Sequence, residues 1–243
     1  MSRLTHSKMS NTRSVSPIGQ RNGKRRPSPP VQQLTALSFS QTCRRTQEGA
    51  LTIDTRLPSD FAQGHIEDSG NVPLHEPFGD IVRSLQNESA KGIILIAEEG
   101  AELTSAYFLA RMGLNNLFGY MPDPTEAMQA HPKALATATM LSPSSFQNGR
   151  RSLEKLQLLD VRHSTERCGG SIPDSIVVNA DTFCAAAHRL DPMVPTVVYC
   201  CGGERSSLAA SLLRRGGFRA VFEIDGGFVA WDQFSRMEAK AEA

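Results

Sequence analysis

Residues 195–207 read PTVVYCCGGERSS, and a similar register appears earlier in the chain as KGIILIAEEGAEL at 91–103. Each opens on a short apolar run with the length and branching of a strand buried on both faces. A glycine-bearing turn follows, and then a stretch with helical spacing: Leu208, Ala209, Leu212 and Leu213 in the later segment, Leu103, Ala106, Tyr107 and Ala110 in the earlier one. Strand, loop and helix in that order imply right-handed crossovers on a parallel sheet covered by helices on both faces, an α/β architecture. Gly113 and the pair Gly216-Gly217 fall where those helices end and the chain has to turn left-handed.

Working outward, the repeat extends well beyond the two loops. Asp54 and Arg56 in LTIDTR match Asp160 and Arg162 in LLDVR, and Gly64-His65-Ile66 matches Gly170-Ser171-Ile172. Gly100 falls on Gly203, and LARMGL at 109–114 falls on LRRGGF at 213–218. Four matches in one order at nearly constant spacing mean a duplicated domain of ordinary size. The expected organisation is a disordered basic tail at 1–33, a first domain at 34–121, a Pro-rich linker at 122–133 and a second domain at 134–238.

Composition narrows the function. The 243 residues carry 26 Lys/Arg against 25 Asp/Glu, but seven of the basic residues and none of the acids lie in residues 1–30. The remainder is therefore mildly acidic, which argues against nucleic acid as a partner because phosphate binding requires clustered cations. Apolar runs such as 93–97 and 197–201 are far shorter than a bilayer span, so no membrane association is expected. Five cysteines, an odd number in a long chain, fit reduced thiols in a cytoplasmic setting. The acid-free N-terminus, rich in Arg and Ser, leaves organelle targeting as the alternative.

The chemistry is expected at the carboxyl end of the strand 196–199, where a following helix aims its N-terminus. Cys200 stands there, followed by Cys201, Gly202, Gly203, Glu204, Arg205 and Ser206. The two glycines allow a cradle of inward amides, and Ser206 is placed to cap the helix. Together with the Arg205 guanidinium these favour an anion at the loop centre, so Cys200 is read as a thiolate nucleophile with a pKa below the free value of about 8.5. Cys200 and Arg205 are the candidate catalytic residues, and the other five form the candidate substrate-binding loop. Cysteine phosphatases use C-x5-R. The C-x4-R of this chain is one residue shorter and suits a single sulfur atom on the cysteine better than a phosphate.

Residues 134–238 resemble a rhodanese domain, the sulfurtransferase module, through Leu159-Asp160-Val161-Arg162, the Gly170-Ser-Ile-Pro173 segment, the Cys200–Ser206 loop and the terminal Gly226-Gly227-Phe228-Val-Ala-Trp231. Where the family usually has Gly-His-Ile-Pro-Gly-Ala, this chain has Gly-Ser-Ile-Pro-Asp-Ser at 170–175. Residues 34–121 resemble a second such domain that has lost its thiol, since its loop reads Ala97-Glu98-Glu99-Gly100-Ala101-Glu102. The expected fold is thus α/β, two rhodanese-like domains, the first inactive and the second active. The pair is also similar to the C-terminal part of fusions with a metallo-β-lactamase-like persulfide dioxygenase. That likeness implies sulfide and persulfide metabolism with a separate dioxygenase partner.

The resemblance implies small sulfur donors, thiosulfate or a persulfide, and thiol or cyanide acceptors, with no cofactor. No metal site is expected, because His6, His65, His75, His131, His163 and His188 form no close ligand grouping. Two other classes stay open: a phosphatase or arsenate reductase on the same fold, and a non-catalytic docking module for a sulfide-oxidising partner. Plainer roles are expected elsewhere. Cys201 is read as a passive loop residue, and Cys43, Cys168 and Cys184 as packing or surface thiols. His65 is assigned a structural hydrogen bond, Asp160 and Arg162 the turn at a strand end, and Trp231 an anchor near the last helix.

Overall fold

The structure, a computed structural model, describes residues 34–74, 85, 91–122, 124–178 and 183–241. The basic tail at 1–33, and His6 and His75 with it, therefore lie outside the described residues. The duplication read from sequence reappears in the strand order. Strands β1 (Thr35–Ala36), β2 (Leu51–Asp54), β3 (Gly70–Asn71), β4 (Ile93–Ile96) and β5 (Leu117–Met121) form one sheet in the order β1-β5-β4-β2-β3. Strands β6 (Thr139–Leu141), β7 (Gln157–Asp160), β8 (Ile176–Val177), β9 (Thr196–Tyr199) and β10 (Val221–Ile224) form the second in the order β6-β10-β9-β7-β8. The two orders correspond strand for strand, and every pairing in both sheets is parallel.

The central strands are Ile-Ile-Leu-Ile in β4 and Thr-Val-Val-Tyr in β9, buried throughout. Such continuous apolar runs suit strands covered on both faces. The covering helices include α1 (Phe39–Gln47), α2 (Pro58–Gln63), α3 (Glu102–Arg111), α4 (Pro124–Gln129), α5 (Pro143–Arg150), α6 (Phe183–Ala187), α7 (Glu204–Arg215) and α8 (Gly227–Ala241).

Helical spacing misplaced the buried face of α3. Leu103 and Tyr107 are 60% and 66% exposed, whereas Ser105, Ala106 and Leu109 are buried. The reason lies in Ser105, whose hydroxyl meets the Thr55 hydroxyl at 3.0 Å under the helix. A satisfied small polar residue allows the helix to sit close to the sheet, and the larger side chains turn outward. In α7, Leu208, Ala209 and Leu213 are buried as expected. Its left-handed exit is made by Gly217, at φ +86°, while Gly216 stays right-handed.

Helix α7 is buried on more than one side because it also meets the first domain. The Asn71 amide N–H donates to Ser211 Oγ at 3.3 Å, and Arg215 Nη1 donates to the Asp68 carbonyl at 2.9 Å. One apolar core runs across this junction, from Leu51, Ile93 and Leu95 to Leu159, Val198 and Leu208. The segment expected as a linker carries α4, whose Met128 packs with Phe39, Ile66, Ile96 and Met121 of the first domain.

Candidate active site

Strand β9 ends at Tyr199, and the chain turns through Cys200 to Gly203 before α7 begins at Glu204. Gly203 is the residue preceding the helix and has φ +122°, a conformation that glycine reaches without a Cβ penalty. Its amide N–H donates to Cys200 Sγ at 3.1 Å. The sulfur thus sits at the positive end of a twelve-residue helix, a setting that favours negative charge. Ser206 is the third residue of that helix and not its cap. Its hydroxyl donates to the Gly203 carbonyl at 2.8 Å and lies 3.6 Å from Cys200 Sγ.

Two features differ from the sequence reading. A ring of several amides was expected around Cys200, but the Gly203 N–H is the backbone donor that reaches its sulfur. Cys200 also has no exposed surface, so the thiol is sealed from solvent and packs with the core. The Arg205 guanidinium was expected to face the loop centre. Instead Nη1 and Nη2 hold the two carboxylate oxygens of Glu166 at 2.5 and 2.6 Å. A planar fork closing on both oxygens is the geometry at which arginine excels. Arg205 also holds the Glu166 carboxyl below its usual range.

Glu166 was missed by sequence reasoning, although a signal existed. It lies six residues past Asp160, and the repeat places Asp60 six residues past Asp54. Glu166 belongs to the 3-10 turn Ser164–Gly169 and also accepts the His163 amide N–H at 2.8 Å. Of the remaining loop residues, Gly202 is exposed and Glu204 half-buried, with the Glu204 carboxylate folded back towards Gly202. Cys201 is half-buried; burial and the neighbouring Glu166 charge push its thiol up. Cys168 is exposed, and the Cys43 thiol on α1 is pushed up by burial. Cys184 lies on α6.

The loop is backed by α8. Phe228 N–H donates to the Cys200 carbonyl at 2.8 Å and Val229 N–H to the Cys201 carbonyl at 3.2 Å. Gly227, at φ +59°, passes so close that a Cβ there would lie 2.6 Å from both carbonyl oxygens. That contact is the physical reason for glycine in the Gly226-Gly227 ending. Trp231, half-buried on the same helix, packs beside Phe228 at 6.1 Å.

Beneath the loop, Asp160 and Arg162 form the strand-end turn. Arg162 donates to Asp160 through its backbone N–H, Nε and Nη2, and from Nη2 to the Gly170 carbonyl at 2.8 Å. Its guanidinium lies 3.9 Å over the Phe228 ring. Tyr199 adds a hydroxyl donated to Asp160 Oδ2 at 2.9 Å. Burial raises the Asp160 carboxyl, but the bonds from Arg162 and Tyr199 outweigh it and hold the group below its usual range. The altered middle motif fits this network: Ser171 joins Asp160 and Arg162, and Ser175 meets the Tyr199 hydroxyl at 2.8 Å. Asp174, where the family usually has Gly, adopts φ +67°, as its counterpart Asp68 does at +64°.

The first domain repeats the turn without the thiol. Arg56 donates to Asp54 and to the Gly64 carbonyl at 2.9 Å, the same partners in the same register. His65 is buried, bonds the Phe61 carbonyl through Nδ1 at 2.8 Å and stacks on that ring. Among the described residues, no group of three or more His, Cys, Asp or Glu is arranged to hold a metal, and no helix is long and apolar enough to cross a membrane.

Two α/β domains on parallel sheets, one with a cysteine held at a strand-to-helix loop, define a duplicated α/β fold with a thiol at one strand end. The model of the rhodanese-like domain matches residues 40–122 and 142–234, and the chain belongs to that family. It is similar to tRNA uridine(34) hydroxylase of Chlamydia caviae, 37% identical over 84 residues, which cover 31% of this chain and 25% of that protein. The protein of the same name from Chlamydia felis is 31% identical over 84 residues, covering 31% and 26%. The chain thus spans about a quarter of the length of these curated relatives. Among solved structures, a rhodanese-like domain protein from Staphylococcus aureus overlaps with TM-score 0.36 at 24% identity, over 38% of this chain and 90% of that one. A thiosulfate sulfurtransferase from Pseudomonas aeruginosa overlaps with TM-score 0.37 at 18% identity, over 83% and 40%.

Proposed function

We propose that the second domain is a sulfurtransferase that carries sulfane sulfur on Cys200. The observation behind this reading is the Gly203 N–H directed at Cys200 Sγ from the start of α7. In the first step the Cys200 thiolate attacks the outer sulfur of thiosulfate, an S–S bond forms to Cys200, and sulfite leaves with the electron pair of the broken S–S bond. In the second, an acceptor thiolate or cyanide attacks that outer sulfur, giving a persulfide or thiocyanate and restoring the Cys200 thiolate. A persulfide donor reacts in the same way and releases a thiolate. Because Cys200 is sealed in this structure, the 200–203 loop has to open for each transfer. Arg205 acts here as a positioning residue, tying the loop helix to the 164–169 turn through Glu166.

The relatives named tRNA uridine(34) hydroxylase share only about a third of this chain, and the acidic balance of the body is poorly suited to tRNA. We therefore favour small sulfur compounds, handled in a reducing compartment beside a separate persulfide-oxidising partner. A second reading, a non-catalytic docking module, draws on the sealed thiol. Incubation with thiosulfate, mercaptopyruvate or glutathione persulfide, followed by mass spectrometry, separates the two. Transfer adds ~32 Da to Cys200, and Cys200→Ser abolishes the adduct. An unmodified Cys200 with every donor leaves the docking module standing. Faster turnover of arsenate or aryl phosphate than of cyanide overturns both in favour of a phosphatase or reductase.

A further inference from the structure

The first domain has no thiol in its loop but borders a cavity. It measures 510 Å³ and lies on the counterpart of the Arg162–Glu166 side of the second domain, bounded by Arg56, Asp60 and Glu98, with Met128, Pro132 and Leu135 as an apolar wall. A space of this size accommodates a small organic molecule.

Comparison of the two copies shows why it is open. In the second copy the Arg162 guanidinium is fully employed: Nη1 donates to the Glu166 carbonyl at 3.3 Å, Nη2 serves three acceptors, and Phe228 covers its face at 3.9 Å. In the first copy Arg56 uses Nε and Nη2 for Asp54 and the Gly64 carbonyl. Among the described residues its Nη1 has no hydrogen-bond partner, and no aromatic ring is found over the guanidinium. Yet the Arg56 side chain is only 7% exposed, and it borders the cavity. A guanidinium buried to that extent with one donor edge left over is set to meet an acceptor brought from outside.

The charges around the cavity specify the rest of the visitor. Asp54 already balances Arg56, with Oδ2 2.6 Å from Nη2. The carboxylates of Asp60 and Glu98 are unmatched, since neither forms an ion pair among the described residues, and the position of Arg205 is held here by Glu102. A simple anion meets two like charges, and a simple cation leaves Arg56 Nη1 unserved. The geometry points to a binding site for a small zwitterion of the amino-acid type, with its carboxylate on Arg56 Nη1, its ammonium between Asp60 and Glu98, and an apolar side chain against Met128, Pro132 and Leu135. The site is separate from Cys200 and does not depend on sulfur transfer.

The probe is L-methionine, compared by calorimetry on the full chain with 3-(methylthio)propylamine, which lacks the carboxylate, and 4-(methylthio)butanoate, which lacks the amine. L-Methionine is expected to bind with Kd below about 1 mM, and each analogue roughly tenfold more weakly. Glu98→Gln, on an exposed loop, and Asp60→Asn are each expected to weaken L-methionine about fivefold while leaving Cys200 persulfidation unchanged. Absence of L-methionine binding overturns the proposal, as does equal binding of the amine alone or indifference to both variants.

Discussion

Arg205 and Glu166 meet through two parallel hydrogen bonds of 2.5 and 2.6 Å, joining the helix behind the cysteine loop to a turn 39 residues earlier. Arg205 is buried, so neutralising Glu166 weakens the pairing of a buried charge. Glu166→Gln is expected to cost about 2 kcal/mol in denaturant unfolding. The pair also sets a pH dependence. The Glu166 carboxyl is held below its ordinary value of 4.5 in the folded protein, so its contribution is complete above that value and declines as pH falls through the lower folded one. Loss of stability between wild type and Glu166→Gln that does not narrow in acid would contradict this.

The sealed thiol makes an ordering of reactivity measurable. Cys168 is exposed, whereas Cys200 has no exposed surface. Timed alkylation with iodoacetamide, read by peptide mass spectrometry, is expected to label Cys168 first and Cys200 at a rate limited by loop opening. Glu166→Gln is expected to accelerate Cys200 labelling and leave Cys168 unchanged.

Gly227 touches the loop carbonyls through its missing side chain. In Gly227→Ala the Cβ meets the Cys200 and Cys201 carbonyl oxygens at 2.6 Å, in a backbone conformation already unfavourable for alanine. The expected loss is about 1–3 kcal/mol of stability, together with impaired persulfide formation as α8 moves off the loop. Thermal unfolding and the Cys200 adduct yield, measured on the same variant, check both parts. Gly100→Ala, with open space around its Cβ, serves as the comparison for a strained backbone alone.

His65 supplies a second acid-sensitive step in a different window. Burial lowers its pKa from 6.5 to about 4 despite the bond to the Phe61 carbonyl. The unfolded chain therefore takes up the proton first, so stability is complete above 6.5 and is lost as pH falls towards 4. The cost is on the order of 3 kcal/mol. Equilibrium unfolding from pH 7 to 4 should show that slope in the wild type and a flatter line in His65→Gln.

Local pattern carried much of this protein. Continuous apolar runs at 93–96 and 196–199 announced parallel strands, the constant offset between Asp54-x-Arg56 and Asp160-x-Arg162 announced two copies, and Gly216-Gly217 announced a left-handed helix exit. These properties are encoded over a few neighbouring residues, because strand burial, turn geometry and the absence of a Cβ are short-range constraints. What depended on packing was not visible in this way. The partner of Arg205, the covering of Cys200, the outward face of Leu103 and Tyr107 and the cavity beside Arg56 all follow from segments brought together across tens of residues. At each of these places more than one arrangement satisfies the local sequence, and the choice falls to whichever neighbour supplies the missing hydrogen bond or fills the remaining space.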